Sequence, residues 1–354
     1  MTHVTVPNAY MQLRTMADCY MFKRDVSASC APPVSSDMTP IPGYTYVGTY
    51  QPTYYLLVGW PTRVLDPHAA IYAMRALSAL TGGALLGIGV ASARRIARSR
   101  HVVVGAALAA TPQAVFLIGV INPSGLEIAA AFATWLGLLE LFQGKGKPSR
   151  GLLVQVTGSA GLFASTRPLS PMLLGVLLTV VAVSTLSRQR WRELAADRGA
   201  RVSGLALVLV TSVASAWVLS TRAWDAFTGI SLPGLSPGAA AHQHVELLGF
   251  RTRQLVGYFG TVDTPMPEVV IWSWVVAMGG TVAPALGGPG SAGVLAASPA
   301  GLRDESSRDL WLHLARSLLV ADGHRSSGTR GLGPHRPTGP SCLRCPKVAP
   351  RCAR

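Results

Sequence analysis

Apolar segments alternate with short polar connectors over most of the chain. Seven of them approach the length of a membrane-crossing helix, which needs about 20 residues. They cover residues 69–93, 102–121, 126–142, 151–165, 170–186, 202–220 and 269–286. Several are shorter than 20 residues, so some are expected to be tilted, re-entrant or packed inside the protein. The pattern predicts an all-α integral membrane protein, in which residues 69–286 form a helical bundle of about seven transmembrane segments.

A short polar turn, Asn122-Pro-Ser-Gly-Leu-Glu127, separates the second and third apolar segments. It places the Glu127 carboxylate at the start of a membrane-length helix, where an ionisable group is costly unless it has a partner or a function. Ser124 and Glu127 also fit the S-x-x-E capping box, with Ser124 as the N-cap residue. Capping and a role in a functional site are compatible, so both interpretations stay open.

Basic residues are concentrated in every second connector, at residues 94–100, 145–150 and 188–201. Short connectors rich in Lys and Arg stay in the cytoplasm, which predicts a plasma-membrane protein with these three connectors inside. The Asn122 turn and the Arg167–Pro168 turn then lie outside. Residues 1–68 are predicted to be an extracytoplasmic segment, and residues 287–354 a cytoplasmic tail.

Composition agrees with a membrane location. The chain is 49% hydrophobic and only 13% charged, against about 25% charged in a typical soluble domain. Its mean hydropathy is +0.35. The net charge of +15 would suit nucleic acid, but the Arg residues lie mainly in connectors rather than on one soluble face. The predicted partner is the lipid bilayer, and nucleic acid is not expected.

Both ends of the chain depart from this pattern. Residues 1–68 must be exported, yet no signal peptide precedes them, which favours a missing upstream helix and a chain truncated at its start. Residues 287–354 are rich in Gly, Pro, Ser and Arg and are predicted to be a disordered basic tail. The change at residue 287 is abrupt enough to suggest a frameshift or a truncated reading frame.

The cysteines suggest a disulfide rather than a metal site. Cys19 and Cys30 lie in the predicted extracytoplasmic segment, where a disulfide can persist, with two unpaired thiols as the alternative. Cys342 and Cys345 form a C-x-x-C pair in the tail, but a second well-spaced pair of zinc ligands is missing. No metal site is therefore predicted.

Several separated motifs resemble one family. They are residues 46–61 (YVGTYQPTYYLLVGWP), 73–78 (AMRALS), 111–113 (TPQ) leading into 122–127 (NPSGLE), and 260–267 (GTVDTPMP). Together they resemble the multi-pass bacterial membrane proteins grouped as domain of unknown function 2142, over about residues 19–286. That family looks common in actinobacteria. It is loosely similar to the large-loop, GT-C-like glycosyltransferases that use lipid-phosphate sugar donors, which implies a partly GT-C-like bundle.

The resemblance implies a role in cell-envelope glycan assembly with a polyprenyl-phosphate-sugar donor, and no other cofactor is evident. GT-C-like enzymes usually carry an acidic base or metal ligand after their first membrane helix, and this chain lacks that motif. No catalytic residue is therefore assigned. The alternatives are a non-enzymatic transporter or flippase-like protein, and an inactive truncated fragment.

A candidate polar cluster can still be assembled at the predicted outer face. A lipid-phosphate donor requires a cation, hydrogen-bonding groups and a carboxylate. The polar residues that the topology places there are Arg75, Asn122, Glu127, Arg167 and Asp263. Arg75 lies about two turns inside the first span, where an unpaired guanidinium is costly, so it is expected to pair with an acid or to bind phosphate.

Overall fold

Helices dominate the chain, in agreement with the sequence-based expectation. The computed structural model describes residues 2–23, 25–45, 47–96, 100–223, 236–260 and 263–286. In these residues the helices are, in chain order, α1 (Asn8–Gln12), α2 (Thr53–Gly59), α3 (Pro67–Ile96), α4 (Arg100–Ala109), α5 (Pro112–Ile118), α6 (Pro123–Gln143), α7 (Arg150–Ala164), α8 (Ser170–Thr185), α9 (Arg188–Ala196), α10 (Arg198–Ser220), α11 (Pro237–Glu246), α12 (Leu248–Gly257) and α13 (Glu268–Leu286). The predicted tail, residues 287–354, lies outside the described residues.

Two antiparallel strand pairs accompany the helices. The strands are β1 (Thr2–Pro7), β2 (Pro40–Thr45), β3 (Tyr258–Phe259) and β4 (Thr264–Pro265). β1 pairs with β2 so that Thr2 faces Thr45 and Pro7 faces Pro40, and β3 pairs with β4. Exposed and half-buried residues alternate along β2, which is the period of a strand with one covered face. The prediction of a purely all-α chain therefore missed these pairs.

Three described helices are long and apolar enough to cross a membrane: α3, α6 and α10. α3 has 30 residues and so extends about 45 Å. The count rises to four if α8 and α9, which are bent by 119° to each other, form one broken span. Membrane character is thus confirmed, whereas the predicted count of seven spans is not.

The segment at residues 102–121 is broken rather than continuous. α4 ends at Ala109 and α5 begins at Pro112. The Thr111 hydroxyl accepts a hydrogen bond from the Ala114 amide, so Thr111 caps α5 and proline occupies its first position. Polar contacts from late in the chain hold the break, because Thr111 donates to the Leu255 carbonyl and Trp274 donates to the Leu108 carbonyl.

Two other predicted spans form short helices. α7 has 15 residues and α8 has 16, so each extends only about 22–24 Å against a hydrocarbon core of about 30 Å. The segment predicted at residues 269–286 is helical as α13. Its apolar part, Glu268–Thr281, is shorter than a membrane-spanning helix. Short helices packed inside the bundle were among the expected outcomes.

α6 is the central helix of the core. Ala129, Ala130 and Ala133 are fully buried along it, and α3, α5, α7, α8 and α9 pack around it. Small side chains permit these close approaches, because a Cβ added at Gly89 of α3 would lie 2.7 Å from the Phe132 ring. The core therefore depends on shape fit around α6.

The bundle has two polar ends. One, called here the Asn122 end, contains the start of α6, and the N-terminal segment docks there: the Trp217 indole donates to the carbonyls of Thr49 and Tyr50, each at 3.2 Å. The other, called the Arg95 end, contains the end of α3, the end of α6 and helix α9. The described basic residues of the connectors, such as Arg95 and Arg190, belong to the Arg95 end.

Candidate functional site

The Asn122 turn caps α6 differently from the capping-box prediction. Asn122 is the N-cap residue, and its side-chain oxygen accepts from the Ser124 amide at 2.9 Å. Pro123 then takes the first helical position, which its fixed φ angle favours. Glu127 therefore lies in the second turn, where it does not cap the helix. The assignment of Ser124 as N-cap was wrong, because Asn122 begins the helix two residues earlier.

Glu127 instead belongs to an ion pair between helices. Arg167 Nη1 lies 3.2 Å from Glu127 Oε2, and the Ser170 hydroxyl donates to Glu127 Oε1 at 2.6 Å. The same Arg167 nitrogen donates to the Ser124 hydroxyl at 3.1 Å. Two polar turns that precede α6 and α8 are thus joined. Of the predicted cluster, the structure brings Glu127 and Arg167 into direct contact, with Asn122 at the adjacent cap.

Aromatic side chains border this pair. The Arg167 guanidinium lies 5.9 Å from the centre of the Tyr50 ring, within range of a cation–π contact. The buried Tyr54 hydroxyl shares a hydrogen bond of 2.9 Å with Ser78 of α3. Burial, with a smaller effect of Tyr50, raises the pKa of Tyr55 to about 12, so its phenol is neutral at ordinary pH. These rings connect the N-terminal segment to the Glu127–Arg167 pair.

Arg75 is separate from the pair. Its side chain is exposed, and Nε donates to the Gly119 carbonyl at 3.4 Å. Among the described residues no carboxylate lies within ion-pair distance of Arg75. Arg75 and Ser78 are three residues apart on α3 and so share a face of that helix. The guanidinium is therefore placed near the Asn122 end with capacity for further hydrogen bonds.

Asp263 lies against the N-terminal segment. Its Oδ2 accepts from the Phe22 amide at 2.9 Å. Phe22 is close in sequence to Cys19, which forms a disulfide bond with Cys30. The Cα atoms of the two cysteines are 6.1 Å apart. Tyr20, Lys23 and Asp263 line a cavity of about 440 Å³ in this region. Asp263 therefore lies beside the disulfide-bonded part of the N-terminal segment.

A trough of about 420 Å³ lies beside the Glu127–Arg167 pair, and it was not anticipated from the sequence. One wall is α10, with Leu209, Val210, Val213 and Trp217, and the other side carries Gln51 and Ser165. Gln51 is 2% exposed, and neither its amide nitrogen nor its amide oxygen has a hydrogen-bond partner. Such groups normally find partners when buried, because leaving one unpaired costs about 1–3 kcal/mol.

The trough and the Glu127–Arg167 pair are linked by residues that are close in the sequence. Tyr50, which contacts the Arg167 guanidinium, directly precedes Gln51, and Ser165 is two residues before Arg167. α10 is mostly unburied along its length, so its trough wall faces the region that lipid would occupy. A single glutamine in an aromatic stretch offers no sequence signal for this arrangement. The trough therefore has an apolar wall along α10 and a polar end near the Arg167 guanidinium.

A second ion pair, at the Arg95 end, was also missed. Arg95 donates to both carboxylate oxygens of Glu140, at 2.6 and 2.9 Å. The buried Ser92 hydroxyl accepts from Gln155 at 2.7 Å, which links α7 to the same group. A signal was present, because Glu140 is the other carboxylate within residues 126–142. This pair joins α3 and α6 at the end opposite the trough.

Metal ligation has no support in the described part of the chain, where no group of three or more His, Cys, Asp or Glu side chains could hold an ion. His242 and Glu246 lie 3.4 Å apart on the exposed face of α11. That contact is an ordinary pair of side chains one helical turn apart.

Comparison with known proteins places the chain in a family. Among curated proteins and among solved structures, nothing matches it. The family model described as a predicted membrane protein, DUF2142, matches residues 2–285. That match spans both polar ends, the trough and every described helix except the last residue of α13. The chain belongs to the DUF2142 family of predicted membrane proteins.

Proposed function

We propose that the protein binds a polyprenyl-phosphate-linked sugar at the outer interface of the plasma membrane and transfers the sugar to an acceptor of the cell envelope. The observation that carries this proposal is Gln51, a buried amide without a hydrogen-bond partner at the polar end of an apolar trough. A ligand that enters from the membrane and carries hydroxyl groups would satisfy that amide.

The apolar part of the trough suits the isoprenoid chain. Leu209 and Val213 are exposed on α10, and together with Val210 they offer a branched hydrocarbon surface. Ligand sites of about 300–1,000 Å³ with mostly apolar walls and a few polar groups are typical of small-molecule binding. A lipid chain can reach this wall directly from the bilayer, without passing through water.

The polar end suits the sugar and phosphate. A sugar hydroxyl both donates and accepts, so two hydroxyls can pair with the amide nitrogen and oxygen of Gln51. Arg167 provides the nearest cation, and its guanidinium geometry matches phosphate oxygens. Glu127 holds Arg167 from the other side, which assigns Glu127 to positioning and charge balance. Arg75, with unused hydrogen-bonding capacity, is a second cation for the phosphate.

Transfer requires a base as well as a donor site. The acceptor hydroxyl oxygen attacks the anomeric carbon, the bond from that carbon to the phosphate oxygen breaks, and polyprenyl phosphate leaves with the bonding electrons. The hydroxyl proton passes to water at the membrane interface, because Glu127 is engaged by Arg167 and Ser170 and Asp263 accepts from the Phe22 amide.

The test uses the full chain in lipid nanodiscs with a radiolabelled polyprenyl-phosphate hexose. Binding to Gln51→Leu should weaken about thirtyfold, the value of two lost hydrogen bonds of about 1 kcal/mol each, whereas Gln189→Leu at the Arg95 end should bind as the parent does. Arg167→Gln should weaken donor binding and slow transfer with it, because the phosphate loses its nearest cation. Equal donor affinity in the parent and Gln51→Leu would contradict the assignment of the trough.

Transport is the competing function, in which Arg75 and Glu127 would line a path for an anionic lipid. The same nanodisc protein, moved to proteoliposomes, separates the two hypotheses. Passage of the labelled lipid between leaflets without formation of a new glycan would favour transport. Formation of a glycosylated product that is lost in Arg167→Gln would favour transfer.

A further inference from the structure

A third cavity lies at the Arg95 end, in the corner where α9 meets α10. Its volume is about 410 Å³, and its walls are apolar side chains of α6, α7, α8, α9 and α10. They include Leu141, Leu153, Leu194 and Leu207, with Trp191 and Arg201 among the lining residues. This cavity is at the opposite end of the bundle from the Gln51 trough, and its occupant need not be the same.

The bend between α8 and α9 creates this corner. α9 turns by 119° relative to α8, and α10 begins directly after it with Asp197 as the N-cap residue. Arg190 fastens α9 to the end of α6, because its guanidinium donates to the Leu141 carbonyl at 3.0 Å and to the Gly146 carbonyl at 2.6 Å. The cavity, called the cleft below, is therefore bounded by a helix that the Arg190 hydrogen bonds hold in place.

The charge around the cleft is positive. α9 and the first turn of α10 carry Arg188, Arg190, Arg192, Arg198 and Arg201 against Glu193 and Asp197. Glu193 is already paired with Arg190, and Asp197 accepts from the Ala200 amide. Arg201 lines the cleft, its side chain is exposed, and no carboxylate of the described residues lies within ion-pair distance of it. Within the part of the chain that the structure describes, the cation at the cleft thus has no carboxylate counter-ion.

The remaining features match the depth at which lipid headgroups lie. Trp191 lines the cleft and is 62% exposed, and tryptophan is enriched at the membrane–water interface. Gly204 also lines the cleft, and a Cβ at that position would meet no atom within 4 Å, so the cleft extends along the face of α10. An apolar cleft that ends at a guanidinium with no carboxylate partner among the described residues is complementary to an acyl chain that ends at a phosphate.

We infer that this cleft binds an anionic phospholipid of the bilayer, with one acyl chain against α7 and α10 and the phosphate against Arg201. Basic pockets between membrane helices select anionic headgroups, and the one Arg that lines this cleft should contribute a preference of about fivefold. The inference does not depend on the proposed sugar transfer, because it concerns a different cavity and a different ligand.

Fluorescence quenching of Trp191 tests the inference. The full chain is placed in nanodiscs of zwitterionic lipid that contain a small fraction of either brominated phosphatidylglycerol or brominated phosphatidylcholine. The signal lost in Trp191→Phe isolates this tryptophan from the other seven of the eight in the sequence. Phosphatidylglycerol should quench Trp191 at a mole fraction about fivefold lower than phosphatidylcholine does.

Three variants assign the effect to the cleft. Arg201→Gln should bring the ratio between the two lipids close to one, Arg201→Lys should keep most of it, and Arg198→Gln, an exposed neighbour outside the lining, should leave it unchanged. Gly204→Leu should reduce quenching by both lipids, because its side chain would occupy the acyl-chain space. Equal quenching by both lipids in the parent, or equal effects of Arg198→Gln and Arg201→Gln, would overturn the inference.

Discussion

Glu127 and Arg167 are 40 positions apart in the chain, yet the guanidinium Nη1 lies 3.2 Å from the carboxylate Oε2. Their side chains are 12% and 34% exposed, so solvent screens the pair only in part. In a double-mutant cycle with Glu127→Gln and Arg167→Gln, we expect a coupling free energy of about 1–2 kcal/mol. Unfolding in detergent, followed by circular dichroism, measures it.

The matched control is the exposed pair Arg253 and Glu268, whose atoms are 3.3 Å apart with side chains 38% and 55% exposed. A cycle through Arg253→Gln and Glu268→Gln should give a coupling below about 0.5 kcal/mol. If both cycles give the same small coupling, the Glu127–Arg167 contact does not join α6 to the turn before α8 in the way described.

Arg190 should be among the most sensitive positions for stability. It is 5% exposed and donates to the Leu141 carbonyl in α6, to the Gly146 carbonyl in the following connector and to Glu193. Arg190→Leu leaves those carbonyls unpaired, and the free energy of unfolding should fall by about 2–4 kcal/mol. Arg188→Leu, at an exposed position of the same helix, should change it by less than about 0.5 kcal/mol. Thermal unfolding of the two variants side by side provides the comparison, and equal melting temperatures would argue against the role of Arg190.

Gly125 marks a close approach between α5 and α6. A Cβ there would meet the Leu117 carbonyl and lie 2.9 Å from the Ile118 Cα, and both are backbone atoms that cannot rotate away. Gly125→Ala should therefore destabilise the protein by about 1–3 kcal/mol. Gly158 of α7 has no atom within 4 Å of such a Cβ, so Gly158→Ala should leave stability unchanged or raise it by up to about 1 kcal/mol. Denaturant titration of both variants tests the contrast, which fails if the two substitutions have the same effect.

Asp37 should make the N-terminal strand pair sensitive to acid. Hydrogen bonds from Thr39 and Asn8 lower the pKa of its carboxyl to about 2, below the ordinary value of about 3.9. A lowered pKa in the folded state means that the carboxylate stabilises the fold above about pH 4 and that this contribution is lost between about pH 4 and pH 2. Hydrogen-exchange protection of the Ala9 amide, which donates to the Asp37 carbonyl at 2.8 Å, should decrease over that range. Asp37→Asn should abolish the pH dependence, and an unchanged dependence in that variant would contradict the assignment.

The sequence predicted the long helices well and the broken ones poorly. α3, α6 and α10 follow uninterrupted apolar runs, and hydropathy alone locates such helices. The break before α5 also had a sequence signal, since Thr111 followed by Pro112 is typical of a helix start. It was outweighed by the apolar character of residues 102–121, because a hydropathy pattern does not distinguish one long helix from two short ones.

The polar cluster was predictable only at the level of which end each residue occupies. Topology placed Glu127 and Arg167 at the same end, but it could not show that they touch or that Arg75 lies apart from them. Gln51 was beyond prediction, because its burial results from docking of the N-terminal segment against α10. Contacts between segments more than 100 residues apart follow from packing rather than from local pattern.

Because of the break between α4 and α5, the second apolar segment completes its contacts late in synthesis. The groups that it frees are paired by residues 255 and 274, which lie 144 and 166 positions further along the chain. A chain synthesised from its N-terminus must therefore insert α6 through α10 while the Thr111 hydroxyl and the Leu108 carbonyl still lack these partners. The second apolar segment reaches its final state last, when α13 arrives, although it is among the first to leave the ribosome.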